Sequence, residues 1–201
     1  LLYGKTEGST PFRLSLHIGD VGHTLVVGPT GAGKSVLLAL MALQFRRYAK
    51  AQVFAFDFGG SIRAAALAMG GNWHDLGGGL TDGSDASVSL QPLSRIDDAY
   101  ERSWAADWIS AILAREGVAV TPEVKEHIWT ALSSLASAPP GERTITGLAV
   151  LLQSNDLKQA LRPYCVGGPY GRLLDAETEH LGAADVQAFE IEGLVGTGAA
   201  P

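Results

Sequence analysis

Residues 28 to 35 read Gly-Pro-Thr-Gly-Ala-Gly-Lys-Ser, a stretch that satisfies the pattern G-x-x-x-x-G-K-[ST] at every fixed position. Residues of these types at this spacing make a phosphate cradle. Gly28, Gly31 and Gly33 let the backbone turn without a Cβ clash, so that successive N–H groups from Gly31 to Ser35 can face a β-phosphate at a helix N-terminus. Lys34 is the catalytic candidate, able to reach β and γ oxygens, and the Ser35 hydroxyl is the metal candidate, placed to ligate Mg²⁺. Pro29, Thr30 and Ala32 fill the variable positions. The competing explanation, a glycine-rich turn with an accidental Lys-Ser, fails on what flanks the loop.

His23-Thr24-Leu25-Val26-Val27 precedes it and predicts a buried parallel strand. Val36 to Phe45 follows it and predicts a helix, closed by the positive Arg46, Arg47 and Lys50. Strand, glycine loop and helix is the order the chemistry requires. Next comes Ala51-Gln52-Val53-Phe54-Ala55-Phe56-Asp57, then Gly59-Gly60-Ser61, which predicts a second parallel strand. An apolar strand ending in Asp imitates a Walker B segment, yet no Glu follows Asp57 to activate water. Asp57 therefore reads as a nucleotide-bordering residue at the carboxyl edge of the sheet, where α/β ligands bind. Val186 to Glu192 alternates in polarity and predicts a half-exposed or edge strand, with Glu190 and Glu192 poor candidates for a catalytic base.

The 201 residues contain a single cysteine and 46% hydrophobic residues, which excludes a disulfide-stapled miniprotein and a disordered chain. The longest unbroken apolar run, Val36 to Leu43, is far short of the ~18 residues of a membrane-spanning helix, and no charged start precedes an apolar secretion signal, so the sequence reads as soluble and unexported. Cys165 reads as a space-filling thiol. The five histidines show no metal-ligand spacing. Residues 1–50 hold six Lys/Arg against Glu7 and Asp20, and the remainder nine against nineteen. With no basic stripe and a pI near 5.3, no strong direct nucleic-acid binding is expected. The low charged fraction, 18%, suggests that some of the surface is covered in the working protein.

Residues 69 to 93 are glycine-rich and read as loop, with only a short strand at Val88, Leu90 and Leu93. From Ser94 the pattern is helical: Tyr100, Trp104, Trp108 and Ile112 lie four apart with Ala105, Ile109 and Leu113 beside them, the Trp and Tyr residues read as core, and Gly117 stands where a C-cap belongs. Thr121-Pro122-Glu123 starts a second helix that carries Val124, Ile128, Leu132 and Leu135 to Pro139. Shorter helices are expected over 146–153 and 156–161. The organisation predicted is a first part of an α/β core over 1–93, a helical insertion over 94–165 and a return to the core over 166–201. The opening at Leu1 and the small-residue tail read as the ends of a fragment.

Together, Pro11-Phe12-Arg13, the run from Gly19 to Thr24 leading into GPTGAGKS, VFAFDFGGS, SLQPL at 89–93, PYGRLLD at 169–175 and AFEIEGL at 188–194 resemble the TrbE branch of the conjugative-transfer, VirB-type ATPases of type IV secretion. The resemblance implies a RecA-like P-loop NTPase core, a parallel sheet with flanking helices and a mostly helical insertion. It implies ATP and Mg²⁺ as cofactors, with Gly28 to Ser35 as Walker A and Asp57 as the second-strand Asp. It further implies ATP hydrolysis for pilus assembly and transfer, a homo-oligomer, usually a hexamer, and a place with other secretion components on the cytoplasmic face of the inner membrane. The family's Walker B strand, which follows AFEIEGL, would lie past the last residue, so nucleotide binding is expected and turnover by this chain is not. An FtsK/HerA-type DNA pump, a P-loop small-molecule kinase and a nucleotide-sensing scaffold are the alternatives.

Overall fold

The computed structural model describes residues 2–17, 19, 22–77 and 88–195. It divides into two compact units, Leu1–Thr81 with Gly182–Gly193, and Asp82–Leu181 with Leu194–Pro201. The first unit is α/β. Strands β1 (Leu2–Lys5) and β2 (Pro11–Leu14) pair antiparallel, Leu2 opposite Leu14. Helix α1 (Lys34–Phe45) follows the glycine loop, and β3 (Val53–Asp57), α2 (Arg63–Ala68), β4 (Asn72–Asp75) and β5 (Val186–Glu190) complete the unit. The last three strands form one parallel sheet in the order β3-β5-β4.

Strand β5 is the centre of that sheet rather than an edge, and all five of its residues are buried. Its polar alternation pointed to an edge, but the polar side chains find partners inside: Gln187 bonds His74 Nε2 at 2.8 Å and donates to Gly182 O, and Glu190 accepts backbone N–H groups. Burial of such groups is tolerated only when they are bonded. Val186 and Ala188 pack with Ala66 and Met69 of the α2 segment, which makes the unit's small core.

Two further expectations for this unit change. Residues 23–27 form no strand: Leu25 and Val27 are 87% and 82% exposed, and no strand among the described residues pairs with them. A strand is held by its ladder, and without a neighbour the apolar β-branched run does not form one. The glycine-rich region, in turn, contains β4, whose register sets Asp75 opposite Glu190. Its four residues are hidden in the sequence by the flanking Gly70-Gly71 and Gly77. The glycines at 78, 79 and 83 lie outside the described residues, as do Asp20, Val21 and the tail from Gly196.

Helix α1 has no fully buried residue, and Arg46, Arg47 and Lys50 fall beyond its last turn. It is anchored by Ala42 against the small core and by Arg46 Nη1, which donates to Met69 O.

The second unit is helical: α3 (Ala99–Arg115), α4 (Pro122–Leu135), α5 (Ile145–Leu151), α6 (Asn155–Leu161) and α7 (Gly171–Leu174). The Asp98 carboxylate accepts Tyr100 N at 2.8 Å and Glu101 N at 3.1 Å, which caps α3, and Gly117 follows its end at φ 82°. Thr121 Oγ1 accepts Val124 N, as its position before Pro122 predicts. The core is built from Leu93, Ile96, Ala105, Ile109, Leu113, Ile128, Leu132, Ile145, Leu148, Leu157, Leu161 and Tyr164.

The aromatic stripe of α3 is not that core. Tyr100 is 82% and Trp104 47% exposed, and Trp108 packs only partly. The inward face is Ile112 with the flanking Ala105, Ile109 and Leu113, as the sequence places them, whereas Trp104 and Trp108 stack on each other at 5.7 Å. No strand forms at 88–93 either. Leu90 N donates to Leu173 O, Leu90 O accepts Ala176 N and Ser89 O accepts His180 N, and these bonds do not form a strand ladder. No helix among the described residues is long and apolar enough to cross a membrane.

Candidate functional site

The glycine loop is shaped by two left-handed residues, Gly31 at φ 81° and Gly33 at φ 82°. Gly33 is also the N-cap of α1 and supplies no side-chain cap, so the first-turn N–H groups of the helix keep their donor capacity for a ligand. A Cβ at Gly31 or Gly33 would meet no atom within 4 Å, so the space over the loop is open. Ala32 N donates to Pro29 O at 3.3 Å and closes the turn.

Lys34 is held across this turn. Its Nζ donates to Gly28 O at 2.8 Å and to Pro29 O at 2.9 Å. An ammonium held on two carbonyl dipoles can be drawn off by an anion, because an opposite full charge attracts it more strongly than a neutral dipole does. Ser35 follows on the exposed first turn. The residue set fits a polyphosphate with a divalent ion: backbone donors, one mobile cation and one hydroxyl.

Asp57 lies at the carboxyl end of β3, and its carboxylate is engaged locally. Oδ1 and Oδ2 accept the Ser61 hydroxyl at 2.8 and 3.0 Å, and Oδ2 accepts Ile62 N at 2.8 Å. No hydrogen bond among the described residues joins Asp57 to the loop at 28–35. Glu190, on the neighbouring strand, accepts Gly59 N at 3.2 Å, Gly60 N at 2.5 Å and Glu192 N at 2.9 Å. The sequence carries no signal of that engagement beyond the Gly59-Gly60 pair. Among the described residues no group of three His, Cys, Asp or Glu is arranged to hold a metal ion. A cleft of about 580 Å³ in the helical unit is lined by Leu135, Val150, Val166 and Asp175 among others, and by no residue of the loop.

Comparison with known proteins finds relatives along nearly the whole chain. The chain is 46% identical over 192 residues to a probable conjugal transfer protein TrbE of Sinorhizobium fredii, and 44% identical over 193 residues to the conjugal transfer protein TrbE of Rhizobium radiobacter; each alignment covers 96% of the chain. The chain is a homologue of TrbE along a segment of its length. It spans 28% and 23% of these two TrbE proteins. A more distant relative is the type IV secretion system protein virB4 of Bartonella henselae, 25% identical over 88% of the chain and 22% of that protein. Among solved structures, VirB4 of Thermoanaerobacter pseudethanolicus superposes with a TM-score of 0.66 over 97% of the chain and 57% of its own, at 15% identity, which establishes the shared fold. No protein-family model matches the chain. The resemblance to TrbE thus holds over nearly the whole chain.

Proposed function

We propose that this chain is the nucleotide-binding segment of a conjugal-transfer ATPase with a RecA-like core, and that it binds Mg-ATP on Gly28 to Ser35. One observation carries the reading: Lys34 Nζ is held over a turn set by left-handed Gly31 and Gly33 at the uncapped start of α1. Backbone N–H groups of residues 31–35, with Pro29, Thr30 and Ala32 shaping the loop, would hold the β-phosphate. Lys34 would bridge β and γ oxygens, Ser35 would ligate Mg²⁺, and Asp57 would border the site. Bound Mg²⁺ would supply charge neutralisation of the phosphates.

The names of the TrbE and virB4 relatives support a role in conjugal transfer and type IV secretion, and the reading sets the protein at the inner membrane alongside other secretion components. Exposed Val36, Leu38, Leu40 and Leu43 on α1 and Phe54 and Phe56 on β3 support burial of this unit against further protein, as in a homo-oligomer.

The test is calorimetric titration of Mg-ATP into the chain and into Lys34→Ala. Binding by the parent with at least a tenfold loss in the variant is expected, in line with the roughly 1.5–3 kcal/mol of a hydrogen bond to a charged group. Equal affinities would refute the reading.

A further inference from the structure

We propose that Glu190 is a positioning residue for this nucleotide site: its carboxylate pins the Gly59–Gly60 turn, and through that turn sets the direction of Asp57. The inference rests on the reading above, in which Asp57 borders the bound phosphates.

Glu190 is 1% exposed, and no Lys, Arg or His among the described residues forms an ion pair with it. A buried carboxylate without a cation persists only where dipoles replace its water. Here they are backbone N–H groups from two segments, Gly59 and Gly60 after β3 and Glu192 after β5. Gly59 and Gly60 are both left-handed, at φ 77° and 69°, so their N–H groups converge into the concavity that binds anions in other proteins. In this chain an internal carboxylate fills it.

The consequence runs along the turn. The next residues, Ser61 and Ile62, are the ones that hold Asp57, through the hydroxyl and the amide. The two acids are also direct register partners on adjacent parallel strands, and Ile191 N donates to Asp57 O at 3.0 Å. Glu190 therefore grips the turn that orients Asp57 and the strand end that carries it. An acceptor-only side chain is needed, because the amide of a glutamine would turn a donor toward glycine N–H groups. Partners of this second layer are worth about 10–100-fold in affinity or activity at metal sites.

The experiment is a double-mutant cycle read by Mg-ATP calorimetry on the full chain: parent, Asp57→Asn, Glu190→Gln and the double variant, with Lys34→Ala as the control for the reading itself. Glu190→Gln is expected to weaken Mg-ATP about tenfold in the parent background and to add nothing when Asp57 is already Asn. Parent-like affinity of Glu190→Gln, or losses that simply add in the double variant, would overturn the proposal while leaving the nucleotide reading intact. A parent that does not bind, or that binds no better than Lys34→Ala, overturns both. Should Glu190→Gln lack a cooperative melt, Gly60→Ala strains the same turn at one of its two left-handed residues while the Glu190 side chain itself is kept. A several-fold loss that vanishes in the Asp57→Asn background is then expected, and an unchanged affinity refutes the inference.

Discussion

Thr146 and Asp175, 29 positions apart, are joined twice: Thr146 N donates to Oδ1 at 3.0 Å and the Thr146 hydroxyl donates to Oδ2. Oδ2 also accepts Val166 N at 2.7 Å, and Asp175 is only 5% exposed. One carboxylate thus ties the start of α5 to the turn before α7 in the helical unit.

Asp175→Ala strands these donors in a buried place. A loss of about 3 kcal/mol of unfolding free energy is expected, since each unsatisfied buried group costs roughly 1–3 kcal/mol and water recovers part of it. Urea unfolding at neutral pH measures it; a change below the error of the extrapolation would contradict the tie.

Gly33→Ala separates strain from collision. No atom lies within 4 Å of the added Cβ, but the residue must keep φ 82° at the start of α1, which costs an L-residue about 1–2 kcal/mol. Mg-ATP affinity is expected to fall about tenfold with the melt of the helical unit unchanged. Undiminished binding would mean that the loop does not need its left-handed turn.

Tyr164 carries an alkaline signature. Burial, reinforced by its hydrogen bond to Glu116 at 2.8 Å, pushes its hydroxyl from 10.0 up to about 12. The neutral form is favoured in the folded state, so its stabilisation is complete below pH 10 and is lost as pH rises toward 12. The difference bounds this contribution at about 3 kcal/mol. Tyr164→Phe is expected to cost about 1 kcal/mol at pH 7, from the lost hydrogen bond, and to flatten the stability curve between pH 10 and 12. A slope unchanged by the substitution would assign the alkaline loss elsewhere.

Cys165 should be a slow nucleophile. Burial raises its thiol above 9.0, and Sγ donates to Leu161 O at 3.3 Å. Alkylation by iodoacetamide at pH 8 is expected to be at least tenfold slower in the native chain than in urea, because only the thiolate reacts. Equal rates would show an open thiol.

On α3, Ile109→Ala removes a side chain with no exposure, whereas Tyr100→Ala removes one that is 82% exposed. About 3 kcal/mol is expected for the first and under 0.5 kcal/mol for the second. Denaturant midpoints check both, and a larger loss at Tyr100 would restore the aromatic stripe as core.

The features legible in the sequence are those settled within a few residues. The loop at 28–35 is contiguous, so glycine conformational freedom, the lysine and the serine specify its chemistry without help from the rest of the chain. The Thr121 cap and the α4 stripe are local in the same way. What the tertiary structure decided is which elements find neighbours. Residues 23–27 have the composition of a strand but no ladder partner, whereas 186–190 have the pattern of an edge but lie between β3 and β4. Glu190 and Asp175 became structural ties because donors 130 and 29 positions away in sequence converge on them. Periodicity reports which face of an element is apolar. It carries no information about the distant backbone groups that make a buried carboxylate tolerable, since those meet only when the chain has folded.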